Sequence, residues 1–194
     1  MYKRQVLAWL YRTTGQARQA LGTPLANRPS KAFKRTMGLF MQIAPLRITV
    51  LPGDTLRSLM NKVKDELRES MRYQRYTTSN PPQRKAYDVV FNLQTSDSVP
   101  FAGFPVQSHW TPPGYEADAL AVQVRDWDAE GRIQVDLDFH ADAFDAEQRD
   151  QMAELLERML DQWLADPEQT VGQLDMLGSS DREQMHADLH GPVA

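Results

Sequence analysis

Apolar and polar positions alternate along this chain with two different periods, and the changes of period mark out its elements. Over residues 2–13, Val6, Leu7, Leu10 and Tyr11 share one helical face with Trp9 beside it, and Gly15 is placed to stop the helix. Gln19 to Leu25 reads as a short strand or extended segment, and the Arg- and Lys-rich stretch from Asn27 to Lys34 as a loop. Leu46, Ile48 and Val50 alternate with Arg47 and Thr49, as in a half-buried strand ended by Pro52-Gly53. Asp54 is then expected to cap a long helix. Its buried face carries Leu56, Leu59, Met60, Val63, Leu67 and Met71, while Lys62, Lys64, Asp65 and Arg68 face water.

The second half changes period. Arg75 to Lys85 contains Thr77-Thr78-Ser79-Asn80-Pro81-Pro82 and is predicted as a loop. Val89, Val90, Phe91 and Leu93 read as a strand, and residues 101–110 as an edge strand interrupted by Gly103 and Pro105. Leu120, Val122 and Val124, then Ile133, Val135, Leu137 and Phe139, flank the turn-like Asp126 to Gly131, which predicts a hairpin with one solvated face. Asp145 and Gln148 form a capping-box pair ahead of a helix whose stripe is Met152, Leu155, Leu156, Met159, Trp163 and Leu164. Residues 165–194 are polar and weakly patterned, the mark of a tail or linker. Helices and strand pairs sharing one core indicate an α/β sandwich with a mixed, largely antiparallel sheet.

Composition narrows the chemistry. With 194 residues, 41% of them hydrophobic, the chain suits one domain, and no run of about 20 apolar residues offers a membrane span. No signal-peptide pattern opens it, so a cytoplasmic protein is expected. The absence of cysteine removes disulfides, thiolate nucleophiles and cysteine-held zinc. Residues 1–75 carry 15 Lys and Arg against 4 Asp and Glu; residues 76–194 carry 7 against 22. No aromatic-interleaved or recognition-helix pattern accompanies the basic half, so nucleic acid is not expected as a partner; either the two oppositely charged segments pack in one fold, or a basic surface receives an acidic partner.

The four histidines, His109, His140, His186 and His190, lack metal-ligand companions at suitable spacing. There is no Gly-x-Ser-x-Gly turn, no phosphate-binding glycine loop, and the acidic pairs Asp126/Asp128 and Asp136/Asp138 read as solvated. The residues alone describe an α/β domain without a self-contained active site and with no metal.

Two motifs add a resemblance. The first helix followed by Gly22-Thr23-Pro24-Leu25-Ala26-Asn27-Arg28 resembles the helix and Gly-x-Pro-x-x-x-Arg segment of nonribosomal peptide synthetase condensation domains, and Met37 to Arg47 resembles their GxFxNxxPLR motif. A long helix ending in Tyr73-Gln74-Arg75-Tyr76, Tyr87 to Leu93, the 120–139 hairpin and the final helix continue it. Leu174 to Glu183 resembles the exit from such a domain, and Leu189-His190-Gly191-Pro192 the entry to an adenylation domain.

The resemblance implies the C-terminal lobe, residues 1–175, of a two-lobed, chloramphenicol-acetyltransferase-like enzyme, with residues 176–194 as a tail leading to an adenylation domain. In that family an acceptor amine attacks a donor thioester between the lobes. The substrates ride on the phosphopantetheine arms of acyl or peptidyl carrier proteins, and no cofactor is expected to bind the lobe directly. The HHxxxDG motif belongs to the N-terminal lobe, the expected partner, and no adjacent His pair is present here. No catalytic residue is therefore expected in this chain, and it is expected to be inactive alone. Arg28, with Arg47 second, is expected to support the aspartate of the missing motif. Asn92, Gly38, Phe40, Tyr73 and Gln74 are expected on the tunnel or acceptor side, Asn92 as a hydrogen-bond donor to the amine or oxyanion.

Gln42 stands where the motif has Asn, Tyr73 where His is common, and Thr77-Thr78-Ser79 where many members have Pro-Phe-Glu. These leave open a starter or other divergent subclass, a degenerate domain, or drift. The alternative reading is a non-catalytic module that docks a carrier protein or a neighbouring domain. A complete acyltransferase would need His109 or His140 as base.

Overall fold

The first helix, α1 (Lys3–Thr14), buries Val6 to Leu10 as one continuous block and ends at Gly15, whose φ of 70° is the left-handed conformation that glycine adopts without strain. In this computed structural model the described residues are 2–74, 86–95, 102–104, 106, 111, 114–115, 117–126 and 132–178. Strand β1 (Arg18–Leu25) leads to a short helix, α2 (Lys31–Arg35), then strand β2 (Gln42–Thr49) and helix α3 (Leu56–Arg72). Strands β3 (Val89–Thr95), β4 (Leu120–Asp126) and β5 (Gln134–Phe139) follow, and helix α4 (Ala146–Ala165) precedes a 3₁₀ turn at Val171–Gln173.

The strands form one sheet in the order β2-β1-β3-β4-β5. Its outer pairs are antiparallel, with eight paired positions in β1/β2 and six in β4/β5; the inner pairs are parallel, with two in β1/β3 and seven in β3/β4. The mixed, mostly antiparallel α/β sandwich expected from the pattern is what forms. Leu21, Ile48, Phe91, Leu120, Val122 and Val124 face a single core with Leu7, Trp9, Leu59, Met159 and Trp163 of the helices. The helices thus cover one face of the sheet, and the polar alternates Asn92, Gln123 and Arg125 lie on the other.

Several expectations are corrected. The stretch read as a loop from Asn27 to Lys34 contains most of α2, because Ser30 accepts the Phe33 N–H and starts a helical turn although no residue of it is buried. Thr55, not Asp54, is the N-cap of α3, and it forms a capping box with Ser58. Asp54 stands just before it, where its carboxylate takes the Leu51 N–H at 2.8 Å, the Ser58 hydroxyl at 2.7 Å and Lys62 Nζ at 2.6 Å. Lys62 is therefore held rather than fully solvated. Met60 and Met71 are exposed on α3, as is Leu164 on α4, since the sheet and α1 leave room for a narrower stripe than the spacing allows.

The hairpin face opposite the core is not simply solvated. Arg125 is only 2% exposed and pairs with Asp136 on the neighbouring strand. The predicted strand at 101–110 lies mostly outside the described residues; within it, Ala102 and Gly103 form a turn with positive φ. The loop expected at 75–85, and the turn at 127–131, also lie outside them.

The largest correction concerns the C-terminus. Val171 and Leu174 are fully buried core residues, and the chain around them is strapped down. Val171 N–H donates to Asp54 O at 2.8 Å and Gly172 N–H to Pro52 O at 2.7 Å; Arg12 donates to Leu174 O and Arg158 to Met176 O, each at 3.0 Å. Val171, Leu174, Met176 and Leu177 are too few and too unevenly spaced among polar residues to set a period, so the sequence pattern reads as a linker what tertiary contacts turn into core.

Candidate functional site

Three groups of polar side chains surround the β1/β2 end of the sheet and its uncovered face. The first is the loop between β1 and β2. Arg28 turns back into this loop: its Nη1 donates to Phe33 O and, at 2.7 Å, to Thr36 O, while Nη2 donates to Gly38 O at 2.7 Å. The guanidinium lies 4.5 Å from the centroid of the Phe40 ring, which meets Phe33 edge-on at 5.6 Å. Gly38 has φ of 143°, and a Cβ there would stand 3.3 Å from Phe40 Cε2, so both the backbone angle and the ring ask for glycine. Arg28, Gly38 and Phe40 are thus one structural unit, and among the described residues no carboxylate is ion-paired to Arg28. Met37 and Leu39 of the same loop are 97% and 87% exposed.

The second group is a cleft of about 270 Å³ between β2 and the last turns of α3. Leu25, Ile43, Ala44 and Pro45 give it an apolar floor, and Gln42, Arg47, Glu66, Glu69, Tyr73 and Gln74 a polar rim. It brings Arg47 to Tyr73 and Gln74, which lie apart from it in the sequence. Glu66 accepts the Arg47 main-chain N–H at 3.3 Å. Sequence reasoning missed Glu66 and Glu69, because carboxylates on the wet face of an amphipathic helix carry no signal of what stands beside them.

The third lies on the uncovered face of the sheet. Asn92 Nδ2 donates to Gln123 Oε1 at 3.0 Å, across the directly paired positions of β3 and β4. Asp136, opposite Gln123 on β5, holds the buried Arg125. Asn92 stands two strands from Arg47, so the residues anticipated from the sequence do not converge on one point. His140 accepts the Asp142 N–H at its Nδ1, at 3.2 Å, and lines none of these groups; His109, His186 and His190 are outside the described residues.

Gly22 on β1 makes room for Tyr87, just before β3. A Cβ there would come within 2.8 Å of the Tyr87 ring and 3.0 Å of Ile43 Cγ2, so the ring stands against the strand where it has no side chain. This accounts for glycine in the first of the two motifs.

Residues 5–186 match the sequence model of the Condensation domain. The chain belongs to the condensation domain family. It is 24% identical to surfactin synthase subunit 1 of Bacillus subtilis (strain 168) over 98% of this chain and 6% of that protein. It is 28% identical to the isonitrile lipopeptide synthase of Streptomyces coeruleorubidus over 86% of this chain and 12% of that protein. Among solved structures it is similar to a double mutant of the starter condensation domain of the rhizomide synthetase RzmA in complex with C8-CoA and Leu-SNAC. There the TM-score is 0.80 and identity 25%, over 91% of this chain and 42% of that one. The chain therefore spans a small fraction of its curated relatives and less than half of a solved condensation domain. The acetyltransferase-like fold expected from the motifs is the fold found.

Proposed function

We propose that this chain is the C-terminal lobe of a condensation domain, and that it completes an amide-forming site only when an N-terminal lobe bearing the HHxxxDG motif closes over it. The observation that carries this is the match to 42% of a solved condensation domain by a chain that contains no adjacent histidine pair. In the reaction the acceptor amine attacks the donor thioester carbonyl, the tetrahedral oxyanion collapses, the thiol leaves, and the amine proton passes to a base. The base comes from the partner lobe.

Arg28 suits the role of a preset cation. Three carbonyls fix its plane without neutralising its charge, so a buried aspartate from the partner lobe meets a counter-ion already in place. Arg47 is the second candidate, at the cleft with Tyr73 and Gln74. Gly38 and Phe40 hold Arg28 in position, and Asn92 offers its amide on the open sheet face to the amine or the oxyanion. The similarity to RzmA supports an acyl thioester as donor and an aminoacyl thioester as acceptor, carried on phosphopantetheine arms in an intact synthetase. Exposed Arg57, Lys64, Arg68 and Arg72 on α3 suit acidic carrier proteins. The lobe ends near residue 175, and the segment from 176 leads toward an adenylation domain in a cytoplasmic synthetase.

The test uses C8-CoA and Leu-SNAC as substrates. Purified chain is expected to form no amide, and addition of a separately purified HHxxxDG lobe to restore product. Turnover by the chain alone overturns the proposal.

A further inference from the structure

Strand β2 is an edge of the sheet, and its outer side is closed along only half its length. Val50 N–H bonds to Ala17 O on the β1 side, whereas Arg47 N–H and Thr49 C=O bond outward, to Glu66 Oε1 at 3.3 Å and from Lys62 Nζ at 2.9 Å. Odd-numbered residues of β2 therefore turn their main-chain groups away from β1. Helix α3 shields Thr49 and Arg47 N–H, then diverges, and the cleft opens at Ile43 and Pro45. There the N–H and C=O of Ile43, and the C=O groups of Pro45 and Arg47, meet no partner among the described residues. Pro45 has no N–H, so this half of the edge offers three acceptors and one donor.

The charge in the cleft points the same way. Glu66 is half-buried and spends one oxygen on Arg47 N–H, and no cation lies within ion-pair distance of it among the described residues. Glu69, on the outer rim, is paired with Arg72 at 3.2 Å, and the Arg47 side chain lines the cleft without forming an ion pair. A half-buried carboxylate with no counter-ion favours an occupant that brings one. At about 270 Å³ the space is below the roughly 300–1,000 Å³ of sites that enclose a whole small molecule, but it accepts a short length of main chain with one side chain.

We propose that the β2 edge receives an extended peptide strand from outside these 194 residues, one that carries a lysine or arginine. Its N–H groups, about 6.8 Å apart on alternate residues, meet the carbonyls of Pro45 and Arg47, and its cationic side chain meets Glu66. The missing N–H at Pro45 sets the register, since a guest carbonyl opposite it finds no donor. The proposal does not depend on whether the chain is half of a larger enzyme.

The test titrates the isotopically labelled 194-residue chain with the capped peptide Ac-Val-Thr-Lys-Thr-Val-amide, alongside the same peptide with norleucine for lysine and one with alternate amides N-methylated. The lysine peptide is expected to shift the Ile43 amide resonance and to bind roughly five- to tenfold more tightly than the norleucine peptide. Glu66→Gln, which keeps an acceptor for Arg47 N–H, is expected to erase that preference while leaving the rest of the spectrum in place. N-methylation is expected to abolish binding. The absence of any shift at Ile43 up to about 5 mM peptide overturns the proposal, as does equal binding of the lysine and norleucine peptides. So do equal shifts with pantetheine, whose amides carry no cation, and edge-to-edge dimerisation of the chain through β2.

Discussion

Replacing Arg28 with alanine isolates what this side chain does before any partner arrives. Its guanidinium ties Phe33 O, Thr36 O and Gly38 O together, and no other described group bridges those three carbonyls. A charge-assisted hydrogen bond contributes about 1.5–3 kcal/mol when well enclosed, but the bonds to Thr36 and Gly38 are exposed, and water replaces much of what is lost there. A net loss of about 2 kcal/mol is a fair sum, and it lowers the cost of opening the loop and of global unfolding alike, since the closed loop belongs to the ground state of both. The loop opens without disrupting the core, because α2 buries no residue in it. Such a loss corresponds to an approximately thirty-fold larger open population, read as faster hydrogen exchange at the Lys34 and Thr36 amides, which bond to Ser30 O and Phe33 O. The free energy of global unfolding should fall by a similar amount, about 2 kcal/mol, because it is measured from the same closed ground state. Arg28→Lys should resemble alanine, since one ammonium cannot span three carbonyls in a plane. Unchanged exchange at Lys34 and Thr36, or no fall in global stability, would refute the reasoning.

Other perturbations follow from the packing. Gly22→Ala forces a methyl into the Tyr87 ring and Ile43, and is expected to cost about 1–3 kcal/mol in urea-induced unfolding. Leu174→Ala is expected to cost about 2–5 kcal/mol in the same assay, where a linker residue would cost nothing measurable. Asp54 is held below its ordinary pKa of 3.8, because bonds from Lys62, Ser58 and Leu51 outweigh the desolvation that pushes it up. Its contribution to stability is therefore full above the unfolded value and is lost as pH falls through the lower folded one. Thermal unfolding of Asp54→Asn should show a shallower loss below about pH 4 than the parent chain, and identical acid slopes would remove Asp54 from the account.

The local pattern of the sequence determined the long helices, the strands β1, β3, β4 and β5 and the second half of β2, the capping box at Asp145, and the fold class, because each of these is written in neighbouring residues. The two motifs also pointed to the family, but that Arg28, Gly38 and Phe40 form one unit came from the structure. Tertiary structure alone decided the burial of Val171 and Leu174, the pairing of Arg125 with Asp136, and the place of Asp54 beside Lys62 rather than at the helix cap. It alone brought Glu66 to the open edge of β2. Periodicity reports which way a side chain points from its own element, whereas a cleft, an ion pair or an open edge depends on which other element arrives opposite, and that is set by the packing of distant segments on one core.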